Sequence, residues 1–262
     1  MSGLTNETDW LAALRVRAAQ PPLRPREPLR LGSAEIGSIE PDMGRRMVEA
    51  GLPLRATANA WQISSHDDEA LADLAHWLRD QGLASRWRDE LLPVTDAAGQ
   101  RHGAIERAAV RPLGITTHAV HLVGRHPDGR FWVQQRAFDK ATDPGLWDTL
   151  VGGLMSADED VPKTLERETW EEAGLHLTEL DQLRPLGHLQ IRRPVDEGYM
   201  VEKASLFQAV LPVRAQPANQ DGEVAGFACL DAQALRAQLA SGRFTLEAAL
   251  ILAHALEQNG PR

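Results

Sequence analysis

GLMSADEDVPKTLERETWEEAGL, residues 153–175, is the stretch on which the fold turns. Asp160 is placed to cap a helix, and Pro162 fits its first turn, where a missing amide proton costs nothing. Gly174 supplies the stop. The expected helix covers about 162–173, and within it Glu168, Glu171 and Glu172 fall at i, i+3 and i+4. That spacing puts three carboxylates on one face, a turn apart. Like charges held this close repel unless something positive sits among them. Mg²⁺ or Mn²⁺ suits such a cluster, because hard divalent cations prefer oxygen ligands.

A solvated helix face would give part of this pattern, with Arg167 and Glu171 pairing at i,i+4. A bare Arg-Glu-x-x-Glu-Glu run would be read that way, but the spacing around it decides otherwise. Gly153, Glu159, Arg167, Glu168, Glu171, Glu172, Gly174 and Leu175 fill the pattern Gly-x5-Glu-x7-Arg-Glu-U-x-Glu-Glu-x-Gly-U, where U is a bulky apolar residue. At about 7% per fixed position, chance supplies the pattern at roughly 10⁻⁸ per start point. Thr169 departs from the apolar preference at its position, yet keeps a methyl group to pack.

The segment resembles the Nudix box, and the chain is similar to Nudix hydrolases. The resemblance implies an α/β fold, an α/β/α sandwich with a mixed sheet, and Mg²⁺- or Mn²⁺-dependent hydrolysis of a small molecule containing a diphosphate. Carried onto these residues, it makes Glu168 and Glu172 the principal metal ligands and adds the Gly153 carbonyl. Glu171 binds a further metal or helps to activate water. Arg167 orients the carboxylates, Glu159 braces the loop, and Gly174 closes the helix. Elementary chemistry agrees: divalent ions shield diphosphate oxygens and lower the pKa of bound water.

Working outward, 119–123 and 131–135 read as strands around His126-Pro127-Asp128-Gly129, a hairpin signal. Strands around 187–192 and 200–211 and helices near 232–239 and 246–258 follow. Arg136 and Lys140 flank the loop before the box and are candidates for gripping a phosphate, the first bidentately, the second as a point charge. Glu223 is the first candidate for a further catalytic carboxylate from a loop, a plain turn acid being the alternative. Glu202, inside an apolar strand, is the second, provided it has a buried positive partner. Trp147 is a candidate for stacking on a flat ring, with Trp87 its counterpart from the first domain; Trp170 points away from the carboxylates. His118 and His121, three apart in one strand, face opposite ways.

Residues 1–112 read as a small α+β leader domain and 113–262 as the Nudix domain. Helices are expected over 7–19, 42–50 and 67–81, short strands within 29–39 and at 60–63, and a turn between strands at 96–103. Arg88-Asp89-Glu90, Ile105-Glu106-Arg107-Ala108-Ala109, Gly114-Ile115-Thr116-Thr117-His118, Pro144-Gly145-Leu146-Trp147-Asp148 and Asp221-Gly222-Glu223-Val224 resemble a narrower Nudix subgroup. There a small N-terminal domain of unassigned function precedes the Nudix domain, and relatives are fused to thiamine pyrophosphokinase. That resemblance implies thiamine diphosphate or its oxidised analogues as substrate, with nucleoside-diphosphate-linked compounds such as ADP-ribose as the alternative.

Twenty-eight basic against thirty-seven acidic residues leave a net charge of −9, which argues against nucleic-acid or anionic-membrane partners. The longest apolar stretch, 246–256, is too short for a bilayer and carries Glu247 and His254. One cysteine, Cys229, and no secretory signal in the first twenty residues point to a cytoplasmic protein. A homodimer is carried as family analogy alone. No cysteine precedes the box, which argues against an isoprenoid-diphosphate isomerase, and the complete set of box carboxylates argues against a non-catalytic ligand-binding module.

Overall fold

The computed structural model describes residues 6–64, 68–84 and 86–258. Part of the N-terminal stretch, residues 1–5, and Asp67, the expected start of one helix, lie outside them. Elements run in the order α1 (Asn6–Ala18), β1 (Glu27–Leu31), β2 (Ala34–Ile39), α2 (Pro41–Glu49), β3 (Leu54–Ala56), β4 (Trp61–Ile63), α3 (Asp68–Asp80), β5 (Leu91–Thr95) and β6 (Arg101–Glu106). Then follow β7 (Thr116–Arg125), β8 (Phe131–Arg136), β9 (Trp147–Asp148), β10 (Val151–Leu154), α4 (Val161–Ala173), β11 (Asp181–Val195), β12 (Gly198–Val210), β13 (Val224–Leu230), α5 (Ala232–Ala240) and α6 (Leu246–Gln258).

The larger sheet is mixed, in the order β11-β12-β7-β8-β13, with β10 beside β7 and β9 beside β8. Among the described residues, only β12 and β7 pair in parallel in it. Side chains of β7 alternate between two cores. Ala119 and Val123 pack with Leu252 and Ile251 of α6, whereas Val120 and Leu122 pack with Leu165 and Ala173 of α4. Helices therefore cover both faces, the expected sandwich. The alternation also separates the two histidines: His118 bonds Thr95 of the leader at 2.8 Å, and His121 bonds Thr149 at 2.9 Å.

The leader builds its own core from residues between Leu29 and Ile115, on a four-stranded sheet in the order β2-β1-β4-β3. Gly44 of α2 lies against Trp61; a Cβ there would sit 2.4 Å from the ring. The β5–β6 hairpin leans on the Nudix unit through the Thr95–His118 bond and through Ala157, whose amide donates to the Leu91 carbonyl at 2.8 Å.

The first helix departs from the expected 1–112 unit. Trp10 and Leu14 of α1 pack into the α6 core, Ala18 joins Ile191 and Leu250, and Gln20 donates to the Arg192 carbonyl at 2.8 Å. The apolar surface open to α1 lies on the C-terminal helices, because the leader sheet is already closed by α2 and α3. Strands β3, β9 and β10, each too short for a periodic signal, are additional to the expected elements.

Candidate active site

The box forms a loop, the helix α4 and a second loop, each junction set by local chemistry. Asp160 caps α4 by accepting from the Lys163 amide at 3.0 Å, and Gly174 ends it in the left-handed conformation at φ 63°. Gly174 also admits the next segment: a Cβ would lie 2.6 Å from the Ala218 carbonyl. The amides of Ala218 and Gln220 bond the carbonyls of Ala173 and Glu171, each at 2.8 Å, which carries the loop holding Glu223 to the box. Thr169 is fully buried, its hydroxyl donating to the Leu165 carbonyl at 2.6 Å, so the helix accommodates it.

Arg167 is the hub of the box. Its Nε meets Glu159 Oε1 at 2.6 Å, and its Nη2 meets Glu159 Oε2 at 2.9 Å and the Leu154 carbonyl at 3.1 Å. Its Nη1 reaches Glu168 at 2.8 Å and Glu171 at 2.9 Å. The Arg167 hydrogen bonds hold the Glu159 carboxyl below its ordinary pKa. Glu159 also accepts from the Ser156 amide and the Thr164 hydroxyl, fixing the loop ahead of the helix.

Glu168 is 8% exposed and Glu172 2%. Burial pushes the Glu168 pKa up to about 7 despite Arg167, and Glu171 and Glu223 push the same way. Burial, then the Glu168 charge, raises Glu172 well above the carboxylate range. Glu172 Oε2 accepts from Gln134 Nε2 and from the Gly152 amide, both at 2.8 Å. Gly153 passes so close that a Cβ would lie 1.9 Å from the Glu168 carboxyl carbon. The three helix carboxylates do not form the closed cage expected from their spacing: among the described residues, no three His, Cys, Asp or Glu side chains converge on one cation-sized point. Two of them instead lean on Arg167, and the third on Gln134 and Gly152. The donor chemistry still fits a divalent cation: hard carboxylate oxygens, two of them on buried side chains that resist ionising without added positive charge.

Gly152, Gly153, Glu168 and Glu171 line a cavity of about 840 Å³ whose far wall comes from the leader segment between Ala84 and Arg111. Arg136 and Lys140 both line it, already engaged. Arg136 bonds the Thr142 carbonyl at 3.0 Å and approaches Asp148 at 3.5 Å. Lys140 pairs with Glu223. Burial alone would raise Glu223, but the Lys140 hydrogen bond and charge dominate and hold it below its ordinary pKa. Glu202 has the positive partner required of it, Arg111 at 3.5 Å.

The tryptophan expectation is corrected. Trp147 pairs with Gln135 while Asp148 pairs with Gln134, so the two neighbours face opposite sides of the sheet. Asp148 faces the cavity, and Trp147 packs with the α6 core and is not among the cavity-lining residues. Trp87 is likewise engaged elsewhere, stacked on His76 and under Arg79. Trp170 stacks on His176 at the surface, away from the carboxylates.

Two buried polar residues join the site without having been singled out from the sequence, Gln134 and Asp148; of the two strand histidines it is His121 that lines the cavity, and a Gly152 Cβ would lie 2.8 Å from its ring. The sequence signals for Asp148 are its place in the Pro144–Asp148 segment and its position four residues before a Gly-Gly pair, and neither assigns it a role.

The NUDIX domain model matches residues 116–250, just over half of the chain. Nudix hydrolase 20, chloroplastic, of Arabidopsis thaliana is 33% identical over 164 residues, covering 60% of this chain and 43% of the relative. Nudix hydrolase 24, chloroplastic, of the same plant is 32% identical over 167 residues, covering 60% and 44%. The matches thus span less than half the length of these relatives. The crystal structure of DR0079 from Deinococcus radiodurans aligns with a TM-score of 0.52 at 22% identity, over 66% of this chain and all of that one, a likeness of fold alone. With the box residues assembled around a cleft and the domain model matched along the same stretch, the chain belongs to the Nudix family.

Proposed function

We propose that this protein is a Mg²⁺- or Mn²⁺-dependent hydrolase of a small molecule carrying a diphosphate. The observation that carries this reading is the burial of Glu168 on the cleft wall with Glu172 a turn further along the same helix, each destabilised as an anion. A divalent cation held there would neutralise diphosphate oxygens and lower the pKa of a bound water. The chain's own groups do the rest. Glu171, partly exposed beside the buried pair, is placed to take a proton from water, and Glu223 is the alternative base. Lys140 and Arg136 hold the phosphates at the cleft wall.

Thiamine diphosphate or an oxidised analogue is the leading substrate, supported by the segments resembling the thiamine-associated subgroup, two of which lie in the leader. The site argues against an isomerase reading: Cys229 is not among the cleft-lining residues, and burial raises its thiol pKa. The test is phosphate release from thiamine diphosphate, oxothiamine diphosphate, ADP-ribose and a dinucleoside polyphosphate, with Mg²⁺ and with chelator. Mg²⁺-dependent turnover of one compound is expected. Binding without turnover of any would replace the enzyme by a ligand-sensing module.

Two further outcomes follow from the same geometry. Gly153→Ala drives a methyl into the Glu168 carboxyl, and displacing that ligand by an ångström should cost about a hundredfold in turnover. Thermal melts of the variant should stay near those of the parent, since the methyl meets the end of one side chain rather than backbone or core.

The second concerns pH. Glu168 titrates at about 7 in the folded chain and at an ordinary carboxylate value when unfolded, so the folded state binds its proton more tightly. Stability in chelator should therefore fall as pH rises from 4.5 to 7, by roughly 3 kcal/mol for this group. Mg²⁺ should reverse the loss, stabilising more at pH 8 than at pH 5. Calorimetric melts across that range check both, and Mg²⁺ stabilisation independent of pH would contradict the ligand assignment.

A further inference from the structure

The cleft has a second polar end that the box does not use. Glu202 on β12 is buried, accepts from the Thr117 hydroxyl at 3.1 Å and stands 3.5 Å from Arg111 Nη2. Glu247, half-buried in the first turn of α6, lines the same cavity. The principal charges acting on it are Glu202, Arg193 and Asp148. Arg111 is committed to Glu202, and among the described residues Glu247 forms no ion pair. Two guanidinium nitrogens in this wall, Arg111 Nη1 and Arg193 Nε, are buried without a hydrogen-bond partner. Asp148 also acts on Glu172, so this end adjoins the box carboxylates within the one cavity.

We propose that this end is the head-group pocket of the substrate, in which Glu247, Arg193 and Arg111 receive a nitrogen heterocycle presenting a hydrogen-bond donor beside an acceptor. The proposal rests on the diphosphate-hydrolase reading of the other end and names the substrate class it takes. A carboxyl without an ion-pair partner calls for a donor or a cation, and the unpartnered N–H groups call for an acceptor. A ligand that satisfies both relieves buried groups that otherwise go unpaired, whereas an apolar head leaves them so and is rejected. Glu202 is the positioning residue, holding Arg111 across the seam between leader and Nudix unit. That seam is tight: the Tyr199 amide bonds the Arg111 carbonyl at 3.0 Å, and Gly198 approaches the same carbonyl so closely that a Cβ would lie 2.4 Å from it. The leader thereby contributes a recognition residue to the cleft.

The test uses phosphate-free probes in metal-free buffer, so that its outcome is independent of hydrolysis. The full chain and its Glu247→Gln variant are titrated calorimetrically with thiamine, with cytidine, and with isopentenol as an apolar control. At least one heterocycle should bind the parent, with affinity about tenfold or more weaker in Glu247→Gln, and isopentenol should bind neither. Should Glu247→Gln not fold, Arg193→Gln, which leaves α6 intact, carries the same expectation. Equal heterocycle affinity in parent and variant, or no binding of either heterocycle at millimolar concentration, overturns the pocket. Diphosphate turnover would still stand or fall on its own assay.

Discussion

Glu172→Gln is expected to reduce turnover about a thousandfold while leaving the chain at least as stable as its parent. The amide is nearly isosteric, and its oxygen can still accept from Gln134 and the Gly152 amide, which the carboxylate holds at 2.8 Å. What disappears is a negative charge that the fold already disfavours, since burial and Glu168 raise the pKa of this group. Removing an unfavourable buried charge raises the melting temperature; removing an anionic ligand weakens the cation that the reaction requires. Loss of turnover with gained stability distinguishes a ligand from a packing residue, which would lose both. Turnover within tenfold of the parent, or a variant that melts well below it, would remove Glu172 from the metal set.

What could be read in the sequence was local. The cap at Asp160, the stop at Gly174, the hairpin at His126–Gly129 and the i, i+3, i+4 acids each depend on residues within a few positions, and the structure reproduces them. The brace at Glu159 came with the family resemblance of the box, and its bonds to Arg167, the Ser156 amide and the Thr164 hydroxyl fit that part. What escaped depends on register between distant strands. Trp147 and Asp148 look equally available in sequence, and only the pairing of a two-residue strand with β8 decides which faces the cleft. Gln134 reads as one more polar residue in a strand until α4 lies over it and Glu172 meets its amide. Glu247 reads as a blemish in an apolar helix, because the residues that give it meaning, Arg193 and Glu202, are about fifty positions away. The first helix was placed with its sequence neighbours, whereas its apolar side fits helices at the other end of the chain.

Arg167→Ala should produce the largest loss of stability in the box, roughly 3 kcal/mol, and abolish measurable turnover. This guanidinium makes five hydrogen bonds, to three carboxylates and the Leu154 carbonyl. Alanine leaves Glu159 and the buried Glu168 without their cation, and the loop from Leu154 to Asp160 without its tie to α4. Lysine is no substitute, because a single ammonium cannot span the forked geometry, so Arg167→Lys should recover only a minor part of the loss. The decisive comparison is Arg167→Ala combined with Glu168→Gln. If Arg167 stabilises chiefly by neutralising Glu168, the double variant should be more stable than Arg167→Ala alone, because the stranded charge is gone. If Arg167 instead acts chiefly as a loop tie, the second substitution will not restore stability, and denaturant midpoints will separate the cases. The burial of Glu168 against Gly153 favours the first outcome: in that position a carboxylate is costly unless a positive charge, guanidinium or divalent cation, stands beside it.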